Sequence, residues 1–333
     1  MFPPPFELIE CIDLFNILNA EINGLARLSD TNYLYLLDCR SRKEYDESHI
    51  ISANHIRRNE DGQYDMPWRA DLETREHIVL YDSRTNNLPL KEQDEIYTCA
   101  SLLQQHATAL TTIRIVKGGF QLFSKLYPFL RTSQSLYSPK VKFTYLICLL
   151  SFDNIFHELE LIQTYPNEIC PNLVYLGRRQ HAVNSQIVKD LKIRAYVNCT
   201  THEDYLVQGD DTRKYCRVSI DDVHDADNIF ELLHNAVNFI SVAYDRGDPV
   251  LVYSDRGVSR SAAVIVAFIS FQMRMSSQQA LKYVEEHRPI RPQQSFIACI
   301  DNLNEKLQEL KEAMSNANQI SIDADADDEQ ASH

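Results

Sequence analysis

Residues 250–261 read VLVYSDRGVSRS, and no other segment constrains the chain as tightly. Val250–Tyr253 is an unbroken run of strand-forming residues, the pattern of a strand covered on both faces. A short polar loop with Gly257 follows. Then Ser261–Met273, apolar almost throughout, predicts a buried helix. Such a helix reads as the buried central helix of an α/β sandwich, so the expected fold class is α/β.

A loop of this kind is built to hold an anion. Its successive N–H groups point inward, and the helix behind it adds partial positive charge at its N-terminus. Arg260 supplies a planar fork of donors matched to phosphate oxygens. Gly257 permits the torsions such a turn needs, in a chain with only 8 glycines among 333 residues. We take Ser254, Asp255, Arg256, Gly257, Val258, Ser259, Arg260 and Ser261 as the candidate phosphate-binding segment. The residue at its head decides its chemistry. A cysteine there would ionise, its pKa drawn down from about 8.5 by the helix terminus and nearby cations. A serine hydroxyl is not ionised by the same field and needs an adjacent base. The neighbour of Ser254 is Tyr253, neutral near pH 7. Asp255 opposes anion capture, and Arg256 offsets it in part.

The segment resembles the phosphate loop of protein tyrosine and dual-specificity phosphatases, His-Cys-x5-Arg-Ser. Tyr253 stands for the His and Ser254 for the nucleophilic Cys, while Arg260 and Ser261 keep their places. The resemblance spans about Pro166–Lys311. Residues 171–177 (PNLVYLG) look like the family's opening strand, followed by a helix over Ser185–Leu191 and a strand over Ala195–Asn198. Asp222, in VSIDD before Asn228-Ile229-Phe230, matches the family's general acid. Further helices are expected over Ser277–His287, capped by Ser276 or Ser277, and through Ile297, Ile300, Leu303, Leu307 and Leu310. None of the eight cysteines (11, 39, 99, 148, 170, 199, 216, 299) has an Arg six residues later, so no second loop of this kind exists.

The first half resembles the rhodanese family. A strand ends in Asp38-x-Arg40, followed by Glu44-Tyr45 and His49-Ile50. His77–Tyr81 looks like the central strand, Ile96 to Leu103 like a helix, and Thr112–Phe120 like the closing strand with its Gly-Gly-Phe corner. That family places a persulfide-forming cysteine directly after the central strand. Here Asp82 occupies the slot and cannot carry sulfur. Cys39, at a strand end, reads as a packed small hydrophobe.

A degenerate rhodanese-like module before a dual-specificity module is the layout of MAP-kinase phosphatases. With Ser254 it resembles the pseudophosphatases of the serine/threonine/tyrosine-interacting-like type, over about four-fifths of the chain. The organisation expected is a rhodanese-like domain at 1–132, a linker at 133–165, a dual-specificity-phosphatase-like domain at 166–315 and an acidic tail at 316–333, too poor in apolar residues to fold. The resemblance implies a binding protein for phosphoproteins or active phosphatases, with stress-granule proteins and a mitochondrial phosphatase among its partners. It also implies a rival, MAP-kinase docking through Arg57 and Arg58 in the first module. A second rival is a weak phosphatase using Ser254 or a water, with Asp222 as acid.

Bulk properties narrow the field further. The net charge is −14 and no Lys/Arg-rich block interrupts it, which disfavours nucleic acid and anionic membranes. Scattered cysteines without C-x-x-C suggest a reducing compartment and no structural zinc. No cofactor is expected. The expected location is cytoplasmic, with mitochondrial residence left open. The apolar run 143–152 (FTYLICLLSF) is shorter than the roughly 20 residues a bilayer span takes. The Asn198-Cys199-Thr200 sequon falls at a strand end.

Overall fold

The structure is a computed structural model that describes residues 6–58, 64–65, 72–106, 112–133, 163–202, 213–218, 226–303 and 306. The chain divides into two compact units, Met1–Tyr165 and Pro166–His333. Asp222, most of the 133–165 linker with its apolar run, Leu307, Leu310 and the acidic tail lie outside the described residues. No helix among the described residues is long and apolar enough to cross a membrane.

The first unit is built on a parallel sheet of five strands: β1 (Phe6–Ile9), β2 (Leu34–Asp38), β3 (Asn54–His55), β4 (His77–Tyr81) and β5 (Ile113–Val116), in the order β1-β5-β4-β2-β3. Its helices are α1 (Cys11–Leu18), α2 (Arg42–Glu47), α3 (Glu95–His106) and α4 (Gly119–Leu126). Strands β2 and β4 are central and buried nearly end to end, as their Tyr/Leu/Ile/Val runs require. Helix α2 starts on a reciprocal capping box: Ser41 Oγ accepts the Glu44 N–H and Glu44 reaches back to the Ser41 N–H. Cys39 is 2 % exposed and packs in the core with Cys99; burial, reinforced by that neighbour, pushes its thiol well above the usual range. Arg57 and Arg58 form a two-residue strand, antiparallel to Tyr64–Asp65, with Arg57 opposite Asp65.

The first unit buries one ion pair at the end of β2. Asp38, fully buried, takes the Arg40 guanidinium at 2.6 Å and the Tyr81 hydroxyl at 2.7 Å. Arg40 also donates to the Ser48 carbonyl and lies over the Phe120 ring at 3.7 Å. His77, at the start of β4, accepts from Arg114 Nη1 at 2.6 Å. Burial first, and then the Arg114 charge, lower its pKa to about 4.

His77 gives the unit an acid-sensitive element. The unfolded chain's imidazole takes up its proton near pH 6.5, while the folded one stays neutral down to about 4. The unfolded state therefore binds more protons in that window, and stability present above pH 6.5 is lost as pH falls through it. The expected loss is on the order of 2–3 kcal/mol for this largely buried ring. His77→Gln should remove it, read as the difference between the two chains in urea midpoint at pH 7.5 and pH 4.5. Equal pH dependence in both chains would refute the assignment.

The second unit has the sheet order β6-β7-β10-β8-β9, from β6 (Asn167–Cys170), β7 (Val174–Arg178), β8 (Ala195–Asn198), β9 (Lys214–Arg217) and β10 (Val250–Ser254). Only the β6–β7 pairing is antiparallel. The helices are α5 (Arg179–Val183), α6 (Ser185–Asp190), α7 (Ala226–Asp245), α8 (Arg260–Met273), α9 (Ser277–His287), capped by Ser276, and a helix over 294–303. Strand β10 is the central member and is buried at every position. Helix α8 is buried from Ser261 through Ser270, which is why its sequence has no polar face.

Three elements depart from the sequence reading. The opening strand begins at Val174, not Pro171, because residues 171–173 turn back from β6. A separate short helix, α5, precedes α6. The 20-residue α7 has no counterpart in the sequence reading, although Ile229, Leu233, Ala236, Val237 and Ile240 form a buried stripe at helical spacing.

Candidate functional site

Strand β10 delivers Ser254 to the carboxyl edge of the second sheet, between β7 and β8, where crevices form in α/β folds. In register, Ser254 lies opposite Arg178, and Tyr253 lies between Gly177 and Asn198. Tyr253 is fully buried and its carbonyl accepts the Cys199 N–H at 2.8 Å. Residues 255–259 then turn, and α8 starts at Arg260 behind them. The 14-residue α8 sets its positive N-terminal pole against the loop.

The shape of the loop follows from what holds its carbonyls. Arg288 is 6 % exposed, and its guanidinium grips the loop from behind. Its Nε donates to the Gly257 carbonyl at 3.1 Å and its Nη2 to the Arg256 carbonyl at 3.2 Å. Its Nη1 is anchored on Asn167 Oδ1 at 2.6 Å. The Arg291 N–H takes the Val258 carbonyl at 2.8 Å. A trans peptide sets each carbonyl opposite the following N–H. Pulling the carbonyls of 256, 257 and 258 backward therefore turns the N–H groups of Gly257, Val258 and Ser259 to the front. The Gly257 N–H accordingly donates to Ser254 Oγ at 3.1 Å.

Gly257 is required for two reasons. Its φ is +69°, and a Cβ there would lie 2.5 Å from the Gly177 carbonyl oxygen. Gly177 is itself closed in: a Cβ on it would lie 2.8 Å from Pro166 Cβ and 2.9 Å from His181 Nδ1. The loop and β7 thus meet backbone to backbone.

Ser254 is 3 % exposed, and its Oγ shares a hydrogen bond with Ser261 Oγ at 2.9 Å. Asp255 stands at the rim, its side chain 41 % exposed, and accepts from Arg260 Nη2 at 2.7 Å. His202 Nε2 lies 3.8 Å from the other Asp255 oxygen. The sequence raised Asp255 as an obstacle to phosphate; the structure pairs it with the arginine that phosphate would need. Cys199 and Cys216 flank this edge of the sheet, and burial holds both thiols above their ordinary range.

Arg288, Asn167 and Gly177 shape the loop and were not identified as site residues from the sequence. Arg288-Pro289 at a helix end was the available signal. Asn198, the sequon residue, is fully buried and donates to the Tyr215 hydroxyl and the His202 carbonyl. The folded chain offers no amide there for a glycan.

The corresponding slot of the first unit is closed by its own aspartate. Asp82 Oδ1 accepts the N–H groups of Arg84 and Thr85 at 2.9 and 2.8 Å, and Oδ2 accepts the Thr85 hydroxyl at 2.7 Å. The Phe120 N–H, in the first turn of α4, donates to the Asp82 carbonyl at 2.7 Å. Gly119 (φ +53°) is needed there, since a Cβ would strike that same carbonyl.

Comparison with known proteins agrees with this two-part architecture. The dual specificity phosphatase catalytic domain family matches residues 174–306, and the rhodanese-like domain family matches residues 23–126. Dual specificity protein phosphatase 16 of Homo sapiens is 26% identical over 298 residues, covering 84% of this chain and 42% of that protein. Dual specificity protein phosphatase 4 of Gallus gallus is 26% identical over 281 residues, covering 77% of this chain and 71% of the relative. The chain thus spans less than half of the first relative and about seven-tenths of the second. Among solved structures, the human tyrosine phosphatase-like serine/threonine/tyrosine-interacting protein is 24% identical, with a TM-score of 0.37 over 42% of this chain and 96% of that one. The protein joins a rhodanese-like domain at its N-terminal end to a dual-specificity-phosphatase domain at its C-terminal end.

Proposed function

We propose that the protein is a pseudophosphatase of the serine/threonine/tyrosine-interacting-like type. It acts as a regulatory binding protein that engages phosphoproteins or active phosphatases through the 254–261 loop. The observation that carries this reading is the environment of Ser254. Among the described residues its Oγ pairs with a hydroxyl, Ser261, and an amide N–H, Gly257; neither is a general base. Nearby thiols offer no substitute, because burial keeps Cys199 and Cys216 protonated. Binding needs less than catalysis. The inward N–H groups, the α8 terminus and Arg260 suit an oxyanion without any nucleophile.

The purified chain, incubated with a phosphotyrosyl peptide, is expected to release no phosphate above the blank. The same peptide, immobilised, should retain the chain, and Arg260→Ala should abolish retention. Steady turnover by the unaltered chain would overturn the proposal.

A further inference from the structure

Three of the polar groups at the loop are already paired within it. Arg260 holds Asp255 at 2.7 Å, the Gly257 N–H donates to Ser254 Oγ, and the Ser254 and Ser261 hydroxyls share a hydrogen bond. A phosphoryl dianion entering the mouth competes with Asp255 for Arg260, whose Nη2 the carboxylate holds. It then lies beside the carboxylate it has displaced, a like-charge contact. His202, at 3.8 Å, answers that carboxylate only when protonated. Arg256, exposed in the same turn, is the other cation at hand in the loop.

We infer that Asp255 is a specificity-determining residue, and that the loop selects phosphorylated residues flanked by Arg or Lys. The inference rests on the reading of the loop as a phosphoprotein site and deepens it. Asp255 sits at the rim with its side chain 41 % exposed, so on release it faces the flank of the ligand and not the protein interior. A basic neighbour of the phosphoresidue takes up the carboxylate as the phosphoryl group takes up Arg260. One internal ion pair becomes two intermolecular ones, and no charge is left alone. A neutral-flanked phosphoresidue breaks the same internal pair and leaves Asp255 unpaired beside a dianion. The residue that weakens capture of simple phosphate is thereby the one that discriminates between phosphosites.

The test uses the full chain and two phosphotyrosyl peptides, identical except for Ala or Arg on either side of the phosphoresidue, with unphosphorylated counterparts. Dissociation constants are read by fluorescence anisotropy at 150 mM salt for the parent chain and for Asp255→Asn. The parent is expected to bind the Arg-flanked phosphopeptide about fivefold more tightly than the Ala-flanked one, the scale of one exposed ion pair. In Asp255→Asn the Ala-flanked peptide should gain about fivefold and the preference should collapse toward unity. The unphosphorylated pair corrects for attraction of basic peptides to an acidic chain. An equal flank preference in both chains, with binding still dependent on Arg260, overturns the inference and leaves the binding reading standing. Failure of both chains to bind any phosphopeptide or inorganic phosphate removes the binding reading as well. Asp255→Ser, with unfolding monitored, repeats the comparison in a second substitution.

Discussion

A chain carrying Tyr253→His with Ser254→Cys is expected to hydrolyse an aryl phosphate at least about a hundredfold faster than its parent. The strand, the loop backbone and the head of α8 already have the layout that a nucleophile at position 254 would use. A thiol placed at Ser254 would sit where the Gly257 N–H and the Ser261 hydroxyl converge, 3.1 and 2.9 Å from the present Oγ. It would also face the N-terminal pole of α8. Those contacts favour a thiolate and lower its pKa into the reactive range. Adding Asp222→Asn should cut the restored rate by roughly 10²-fold or more if that residue is the acid. Adding Asp255→Asn instead should lower the KM, because Arg260 would no longer be held. A folded double variant without turnover would mean that the loop lacks a working cradle, and the family likeness would then extend to the fold alone.

Arg40→Met is expected to destabilise the first unit by about 3–5 kcal/mol, the cost of leaving a buried charge without its partner. Asp38 is fully buried, and Arg40 reaches it at 2.6 Å with its side chain 5% exposed. The Tyr81 hydroxyl and the backbone N–H of residue 40 remain after the substitution, but two neutral donors do not balance a buried carboxylate. The contact of the guanidinium with the Phe120 ring is lost as well. Removing both charges, with Asp38→Asn and Arg40→Met together, should recover much of the loss. Urea unfolding of the full chain, followed by a probe in the first unit, gives the values. A loss below about 1 kcal/mol for Arg40→Met would show that the pair is hydrated or replaceable.

The elements legible in the sequence were those whose local pattern agrees with their burial. Strand β8 occupies Ala195–Asn198, as the family resemblance implied, and Ser276 caps α9 through a reciprocal bond with Gln279. Strand β6 was not legible. Its Asn167 and Glu168 are buried polar residues, and the partner of Asn167 is Arg288, 121 positions later. Strand β9 reads Lys-Tyr-Cys-Arg and is half exposed at the sheet edge, so neither alternation nor an apolar run marks it. The site divides the same way. Ser254, Gly257 and Arg260 announce themselves by type and spacing. The pairing of Asp255 with Arg260, and the grip of Arg288 on the carbonyls, are decided by three-dimensional geometry.

Asn167 is the first strand residue of the second unit and the anchor of the guanidinium that sets the loop. Through Arg288 that amide is two hydrogen bonds from the peptide planes of 256–258. The outline of the oxyanion pocket is therefore keyed to the outermost strand of its sheet, far from the rim in sequence.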